Sequence, residues 1–253
     1  EKVSFWSFCT MVGCLTLPLG LIMIEPDNGS VAVVGATLIA LFFISRISSK
    51  YWVIPMCIMI ACGAVAAYKL PYVRARIDVY LHPELDIRGK GHQAHQAKIA
   101  AGSGKIFGRG VGSSLQKLTY LPEAQNDYIA AIYAEEFGFV GMLLLITLYM
   151  LFACGGFSIS LRAKTLQGSF LSLMITYLIT LQAFLNLGVV SGLLPAKGVN
   201  LPFFSQGGTS LVANILGLAL LLSIGKDVEE KAKKNHFDGR RDRGASLPRA
   251  SSR

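Results

Sequence analysis

The residue best placed to do chemistry is Asp127, a carboxylate in a polar segment that directly precedes a long apolar run. Upstream, residues 98–117 combine lysines and an arginine with closely spaced glycines. Basic side chains and exposed backbone N–H groups bind diphosphates, either as ligands or as leaving groups. An aspartate beside them can act as the general base for a sugar hydroxyl. Spacing alone leaves an alternative open, in which Asp127 caps a helix that starts near Tyr128.

Other motifs in this segment are incomplete. Lys105 follows Gly104 without the Ser or Thr that a P-loop requires next, and the glycines do not form the dinucleotide-binding fingerprint. His92 and His95 are three residues apart, but a zinc site needs further matched ligands. We therefore expect both histidines to be surface residues.

The composition indicates a membrane protein. Of 253 residues, 53% are hydrophobic and 15% are charged, and the mean hydropathy is +0.51, which is too apolar for an ordinary soluble domain. Because a bilayer core is crossed by ~20 apolar residues in a helix, the charge-free runs predict an all-α polytopic protein with six transmembrane helices. Their predicted bounds are 5–24, 30–45, 51–68, 138–160, 168–189 and 209–224.

The orientation follows from basic residues in short connections, which stay on the cytoplasmic side. These residues are Arg46, Lys50, Arg162, Lys164 and the tail from Lys226. They place residues 69–136 in a large extracytoplasmic loop and the C-terminus in the cytoplasm. Residues 226–253 carry nine basic and five acidic residues among Gly, Ser and Pro, so we expect a disordered tail held to anionic lipids, without nucleic-acid binding.

Three segments resemble the SEDS family (shape, elongation, division and sporulation). Residues 116–141 contain the Pro-Glu-Ala-Gln-Asn-Asp-Tyr-Ile-Ala-Ala segment around Asp127 and then Glu-Glu-Phe-Gly-Phe-Val-Gly. Residues 25–29 are similar to the family's Gln-Pro-Asp-Leu-Gly, and residues 205–210 to its Ser-Tyr-Gly-Gly-Ser-Ser. Residues 116–124 and 194–198 look more like the cell-division branch, FtsW, than the elongation branch, RodA. The family has ten spans, so the resemblance implies that this chain holds the last six.

The resemblance implies a peptidoglycan glycosyltransferase, which polymerises lipid II at the outer face of the bacterial cytoplasmic membrane and releases undecaprenyl diphosphate. Asp127 matches the family's essential aspartate and would be the general base on the acceptor's GlcNAc 4-hydroxyl. An alternative role for the same side chain is to hold a divalent cation, Mg²⁺ or Mn²⁺, against the diphosphate. The expected substrate-binding residues are Lys117, Lys197, Lys98, Lys105, Arg109, Gln96 and Ser205.

Two other functions compete with the enzyme. A flippase for lipid II would need charged groups within its spans to carry a diphosphate, and the six predicted spans contain no Lys, Arg, Asp or Glu. A division scaffold would instead act by holding partners. The resemblance implies a class B penicillin-binding protein and other division proteins as those partners, at the division septum, and this role is compatible with catalysis.

Overall fold

The computed structural model describes residues 10, 20–22, 28–44, 53, 57, 90–114, 126–194 and 198–245. Within these ranges the chain forms helices and no strand, which confirms the predicted all-α class. The helices are α1 (Asn28–Ile44), α2 (Lys90–Ser103), α3 (Ile129–Arg162), α4 (Leu166–Val190) and α5 (Gly208–Ala245). The predicted spans 5–24 and 51–68 lie almost entirely outside the described residues.

Three of these helices are long and apolar enough to cross a bilayer. They comprise Ile129–Arg162, Leu166–Val190 and the part Gly208–Glu230 of α5, whereas Gly29–Ile44 is a shorter apolar helix. Leu144 and Leu151 of α3 are 57% and 63% exposed, as lipid-facing side chains are. The predicted spans 138–160, 168–189 and 209–224 each fall within one of the long helices.

Helices α3 and α4 pack closely within the membrane. Gly156 of α3 lies directly against Thr176 of α4, and a Cβ atom at Gly156 would overlap the Thr176 side chain. The Ser160 hydroxyl donates a hydrogen bond to the Ser169 carbonyl oxygen at 2.8 Å. Small residues that allow close approach, and hydroxyls that bond across helices, stabilise helix pairs where the hydrophobic effect cannot. These contacts fix α4 against α3.

Helix α2 packs on the first turns of α3 through alanines. Ala97 and Ala100 of α2 and Ala130 and Ala131 of α3 are fully buried in one hydrophobic cluster. Because alanine side chains are small, the two backbones approach closely. The segment that follows α2, residues 104–114, is thereby brought against α3.

Helix α5 differs from the sequence-based expectation. The predicted span ends near Ile224, but the helix continues to Ala245; the expected disorder of the tail stays a prediction. The sequence offers a physical reason, since Glu229 and Glu230 precede Lys233 and Lys234 by four positions, a spacing that stabilises helices.

Candidate active site around Asp127

The turn that carries Asp127 is held by the buried side chain of Asn186. This residue of α4 is 1% exposed, and its Nδ2 donates hydrogen bonds to the carbonyl oxygens of Asp127, at 2.9 Å, and Val199, at 2.7 Å. Residues 126–128 form the turn before α3, and Asp127 is half-buried. Asn186 thus ties this turn to residues 198–200, which are distant in sequence.

Ser205 holds the same turn from a second side. Its hydroxyl donates to the Asn126 carbonyl oxygen at 2.6 Å and accepts a hydrogen bond from the Leu201 backbone N–H at 2.7 Å. Tyr149 of α3 donates to the Pro202 carbonyl oxygen at 2.5 Å. Residues 198–207 are non-helical backbone, which is tolerated near a bilayer where protein surrounds it. Ser205 therefore positions Asp127 in this geometry, and its predicted contact with substrate stays a prediction.

The Asp127 carboxylate lies beside Gly198. A Cβ atom at Gly198 would be 3.3 Å from Oδ2 of Asp127, closer than most real Cβ contacts. The N-cap of α3 is Tyr128, so the alternative in which Asp127 occupies the cap position is wrong. The Asp127 side chain is directed toward Gly198, in the segment that follows α4. Asp127 thus remains a candidate acid–base group.

After its first turns, α3 is interrupted at Gly138, and the loop that follows α2 supplies hydrogen bonds to the interrupted backbone. Gly138 has φ 65° and ψ −161°, a region that essentially only glycine occupies. The carbonyl oxygens of Glu135 and Glu136 accept hydrogen bonds from Arg109 and Gly110 at 3.0 and 3.1 Å. The N–H groups that would have served them in an unbroken helix, those of residues 139 and 140, donate instead to carbonyls of residues 105 and 106 at 2.9 and 3.1 Å. The loop thus replaces both lost helical bonds.

Glu135 links this loop to α3 with its side chain as well. The carboxylate is 1% exposed; it accepts a hydrogen bond from the Ser114 hydroxyl at 2.7 Å and lies 3.3 Å from Nη1 of Arg109. A buried carboxylate needs such partners to compensate for lost hydration.

The other predicted substrate-binding residues lie at different places. Lys98 packs on the C-terminal end of α4, where a Cβ atom at Gly192 would be 2.7 Å from its Nζ, and cations are stabilised at that end of a helix. Lys105 is exposed in the turn after α2, and Gln96 is half-buried on α2. Arg109 is engaged with Glu135 and 39% exposed. Lys117 and Lys197 lie outside the described residues.

A divalent cation would find few protein ligands here. Among the described residues no cluster of three or more His, Cys, Asp or Glu side chains is present, and His95 is exposed, as expected. Mg²⁺ is commonly held by one or two carboxylates together with substrate phosphates. A cation held between Asp127 and a substrate diphosphate stays a prediction.

A cavity of about 820 Å³ adjoins the site. It lies between α1, α4, α5 and residues 198–200, and most of its lining is aliphatic, as at Val33, Ile179 and Leu216. Gly198 belongs to its wall and also contacts the Asp127 carboxylate. The cavity and the Asp127 carboxylate thus have Gly198 as a common neighbour.

Comparison with known proteins agrees with this architecture. A family model for FtsW, RodA and SpoVE, described as "Cell cycle protein", matches residues 1–230. A relative from Legionella pneumophila named "Probable peptidoglycan glycosyltransferase FtsW" is 39% identical over 224 residues, which are 87% of this chain and 57% of the relative. The chain thus spans little more than half the length of that relative.

Two solved structures share the fold. A peptidoglycan synthase complex, studied for its coordination of polymerization and crosslinking, contains a chain with a TM-score of 0.71 and 24% identity, covering 90% of this chain and 64% of that one. The rod shape determining protein RodA of Thermus thermophilus has a TM-score of 0.55 and 24% identity, covering 88% of this chain and 57% of RodA. The family match extends over nearly the whole sequence, so the chain belongs to the FtsW/RodA/SpoVE family, the SEDS family that its motifs resemble.

Proposed function

We propose that this chain carries the catalytic part of a peptidoglycan glycosyltransferase that polymerises lipid II at the outer face of the cytoplasmic membrane. The observation that carries the proposal is the position of Asp127: its turn is fixed by Asn186 and Ser205, and its carboxylate faces Gly198 at the wall of the cavity. Groups that transfer protons must be held in a defined geometry, and these contacts supply it.

In this mechanism Asp127 accepts the proton of the acceptor's GlcNAc 4-hydroxyl. The hydroxyl oxygen then attacks the anomeric carbon of the donor's MurNAc. A new glycosidic C–O bond forms as the bond to undecaprenyl diphosphate breaks, and the diphosphate leaves with the electron pair of that bond. Cationic side chains stabilise the departing charge, and we assign this role to Lys117 and Lys197 first, because they lie in the family-like motifs, and then to Lys98.

The adjoining cavity suits the lipid part of such a substrate. Its aliphatic lining can contact an isoprenoid chain without exposing it to water, while Gln182 and Asn214 add a few polar groups. Because the cavity shares Gly198 with the Asp127 site, a chain lying in it would place its diphosphate end near the carboxylate. This supports a lipid-linked substrate over a soluble sugar.

The cellular role is proposed from the relatives. Those named FtsW support a place in cell division at the septum, with the C-terminal tail in the cytoplasm. A class B penicillin-binding protein, the transpeptidase that cross-links strands, is the proposed partner, together with other division proteins. The structurally similar chain belongs to a complex that coordinates polymerization and crosslinking, which supports a partner of that kind.

The test is polymerisation of purified lipid II by the full-length protein with its transpeptidase. Asp127→Asn should abolish glycan strands while leaving the transpeptidase bound, and Asp227→Asn, a carboxylate change in the distant part of α5, should leave polymer yield unchanged. A chelator arm measures the cation requirement: loss of activity with restoration by Mg²⁺ or Mn²⁺ would favour the cation-holding role of Asp127. Normal strand synthesis by Asp127→Asn would refute the catalytic role of Asp127 on which the proposal rests.

A further inference from the structure

The loop after α2 presents an unusual set of exposed apolar side chains. Ile106, Phe107 and Val111 are 60%, 82% and 77% exposed. Lys105 and Arg109 alternate with them in the sequence. We call residues 105–111 the interfacial loop.

Backbone hydrogen bonds fix the position of this loop along α3. The carbonyl oxygens of Lys105 and Ile106 accept from the N–H groups of Phe139 and Val140 at 2.9 and 3.1 Å. Gly108 lies so close to α3 that a Cβ atom there would overlap the Glu136 carbonyl. The loop is therefore held at the level of residues 136–140 rather than projecting freely from the protein.

That level is the edge of the bilayer. After the break at Gly138, residues 139–162 of α3 number 24 and are about 36 Å long at 1.5 Å per residue, enough to cross a hydrocarbon core about 30 Å thick. The charge-free run of α3 extends from residue 137 to residue 161, between Glu136 and Arg162. The span thus begins at the position where the interfacial loop is attached.

Exposed apolar side chains lie on both sides of this boundary. Phe139, Val140 and Leu143, at the start of the span in α3, are 65%, 49% and 54% exposed. Phe139 and Val140 are also the residues whose N–H groups bind the interfacial loop. The exposed Ile106 and Phe107 are therefore attached beside the exposed apolar residues that begin the span.

We infer that the interfacial loop inserts into the headgroup region of the membrane. Phe107, Ile106 and Val111 contact the upper acyl chains, and Lys105 binds lipid phosphates, with the exposed part of Arg109 beside it. Aromatic and basic side chains are stabilised in this way at membrane interfaces. The loop then holds the broken outer end of α3 at a fixed depth. This inference requires only that α3 crosses the membrane, and it does not depend on the polymerase reaction.

The test measures the depth of a tryptophan in the loop. Phe107→Trp is made in full-length protein in which every other tryptophan, Trp6 and Trp52 among them, is replaced by Phe. The protein is reconstituted into phosphatidylethanolamine–phosphatidylglycerol vesicles. Dibrominated acyl chains quench a tryptophan in the membrane, and acrylamide quenches one in water. Leu144→Trp provides the lipid-exposed reference, and N-acetyltryptophanamide provides the aqueous one. Val111→Trp is a second probe should Phe107→Trp fail to fold.

Insertion predicts a blue-shifted emission, bromolipid quenching comparable to that of Leu144→Trp and protection from acrylamide. Adding Lys105→Gln to the Phe107→Trp protein should reduce the bromolipid quenching, and more so in vesicles rich in phosphatidylglycerol. Full acrylamide quenching without bromolipid quenching would overturn the inference. So would a tryptophan that becomes protected only when the transpeptidase is added, because the loop would then be a protein-docking surface.

Discussion

The Asn186 side chain donates both of its amide hydrogens to backbone carbonyls, one of them that of Asp127 at 2.9 Å and the other that of Val199 at 2.7 Å. One buried residue of a transmembrane helix therefore sets the distance between the proposed catalytic turn and the segment facing it. This contact uses the main-chain carbonyl of Asp127 and not its carboxylate. The geometry of the site thus depends on a residue that need not touch substrate.

Replacing Asn186 with Leu should greatly reduce polymerisation and lower stability. Two carbonyl oxygens lose their side-chain donor, and each buried polar group left without a partner costs about 1–3 kcal/mol. The measurements are strand synthesis from lipid II and thermal unfolding in detergent. Thr180→Val is the matched control on the same helix, because the buried Thr180 Oγ1 has no hydrogen-bond partner in the part of the chain described here. Equal losses from both substitutions would contradict the specific role of Asn186.

Gly198→Ala should reduce activity while leaving the protein folded. The added methyl group would lie 3.3 Å from Oδ2 of Asp127, so the carboxylate must move by a few tenths of an ångström. Misplacement of a catalytic group by about 1 Å can cost about 100-fold in rate, and we expect a loss of roughly tenfold from this smaller shift. Gly208→Ala, where nothing lies within 4 Å of the added atom, should retain the parental rate. An unchanged rate in Gly198→Ala would show that the contact with Asp127 is not functionally constraining.

Sequence reasoning gave the class of the protein, its long helices and the Asp127 candidate. Apolar runs identify spans because a bilayer imposes both length and composition on them. The roles of Asn186, Ser205 and Gly198 could not be obtained in this way. Their contacts with the Asp127 turn join residues 59 to 79 positions apart, and hydropathy carries no information on such pairings.

The break in α3 is a second feature that the sequence did not predict. Gly138 lies at the predicted start of a span, just after Glu135 and Glu136, and one glycine in a helical pattern does not by itself indicate a break. The closely spaced glycines at positions 104, 108 and 110 were visible in the sequence, but they suggested phosphate binding. In the structure Gly104 and Gly108 instead allow the loop to approach the backbone of α3. A close backbone approach and a phosphate-binding loop both require glycine, so composition cannot separate them.

Gly138→Ala should therefore strongly destabilise the protein. The backbone conformation at Gly138 costs about 1–3 kcal/mol for a residue with a side chain, and the new Cβ atom would also overlap the backbone N of Gly108. We expect the midpoint of thermal unfolding in detergent to fall by several degrees, with loss of activity. Gly155→Ala, in the same helix and with open space around it, is the control and should be neutral or slightly stabilising. If Gly138→Ala and Gly155→Ala both have the same unfolding midpoint as the parent protein, the kink at Gly138 is not maintained in the membrane protein.

The Arg109–Glu135 pair provides a test of whether Arg109 serves the fold or the substrate. Arg109→Gln takes one cation away from the carboxylate of Glu135, which is 1% exposed and keeps the hydrogen bond from the Ser114 hydroxyl, so this variant should be the less stable of the two single variants. Glu135→Gln leaves a guanidinium that is 39% exposed and can be hydrated, and its cost should be smaller, about 1 kcal/mol, because solvent screens the exposed partner. A double-mutant cycle measured by thermal unfolding tests the pair. If Arg109 and Glu135 form a structural ion pair, Arg109→Gln/Glu135→Gln should be more stable than Arg109→Gln. Polymerisation separates the two roles: recovery of activity in the double variant indicates that Arg109 acts through Glu135, whereas stability recovered without activity would show that the guanidinium is needed for the diphosphate.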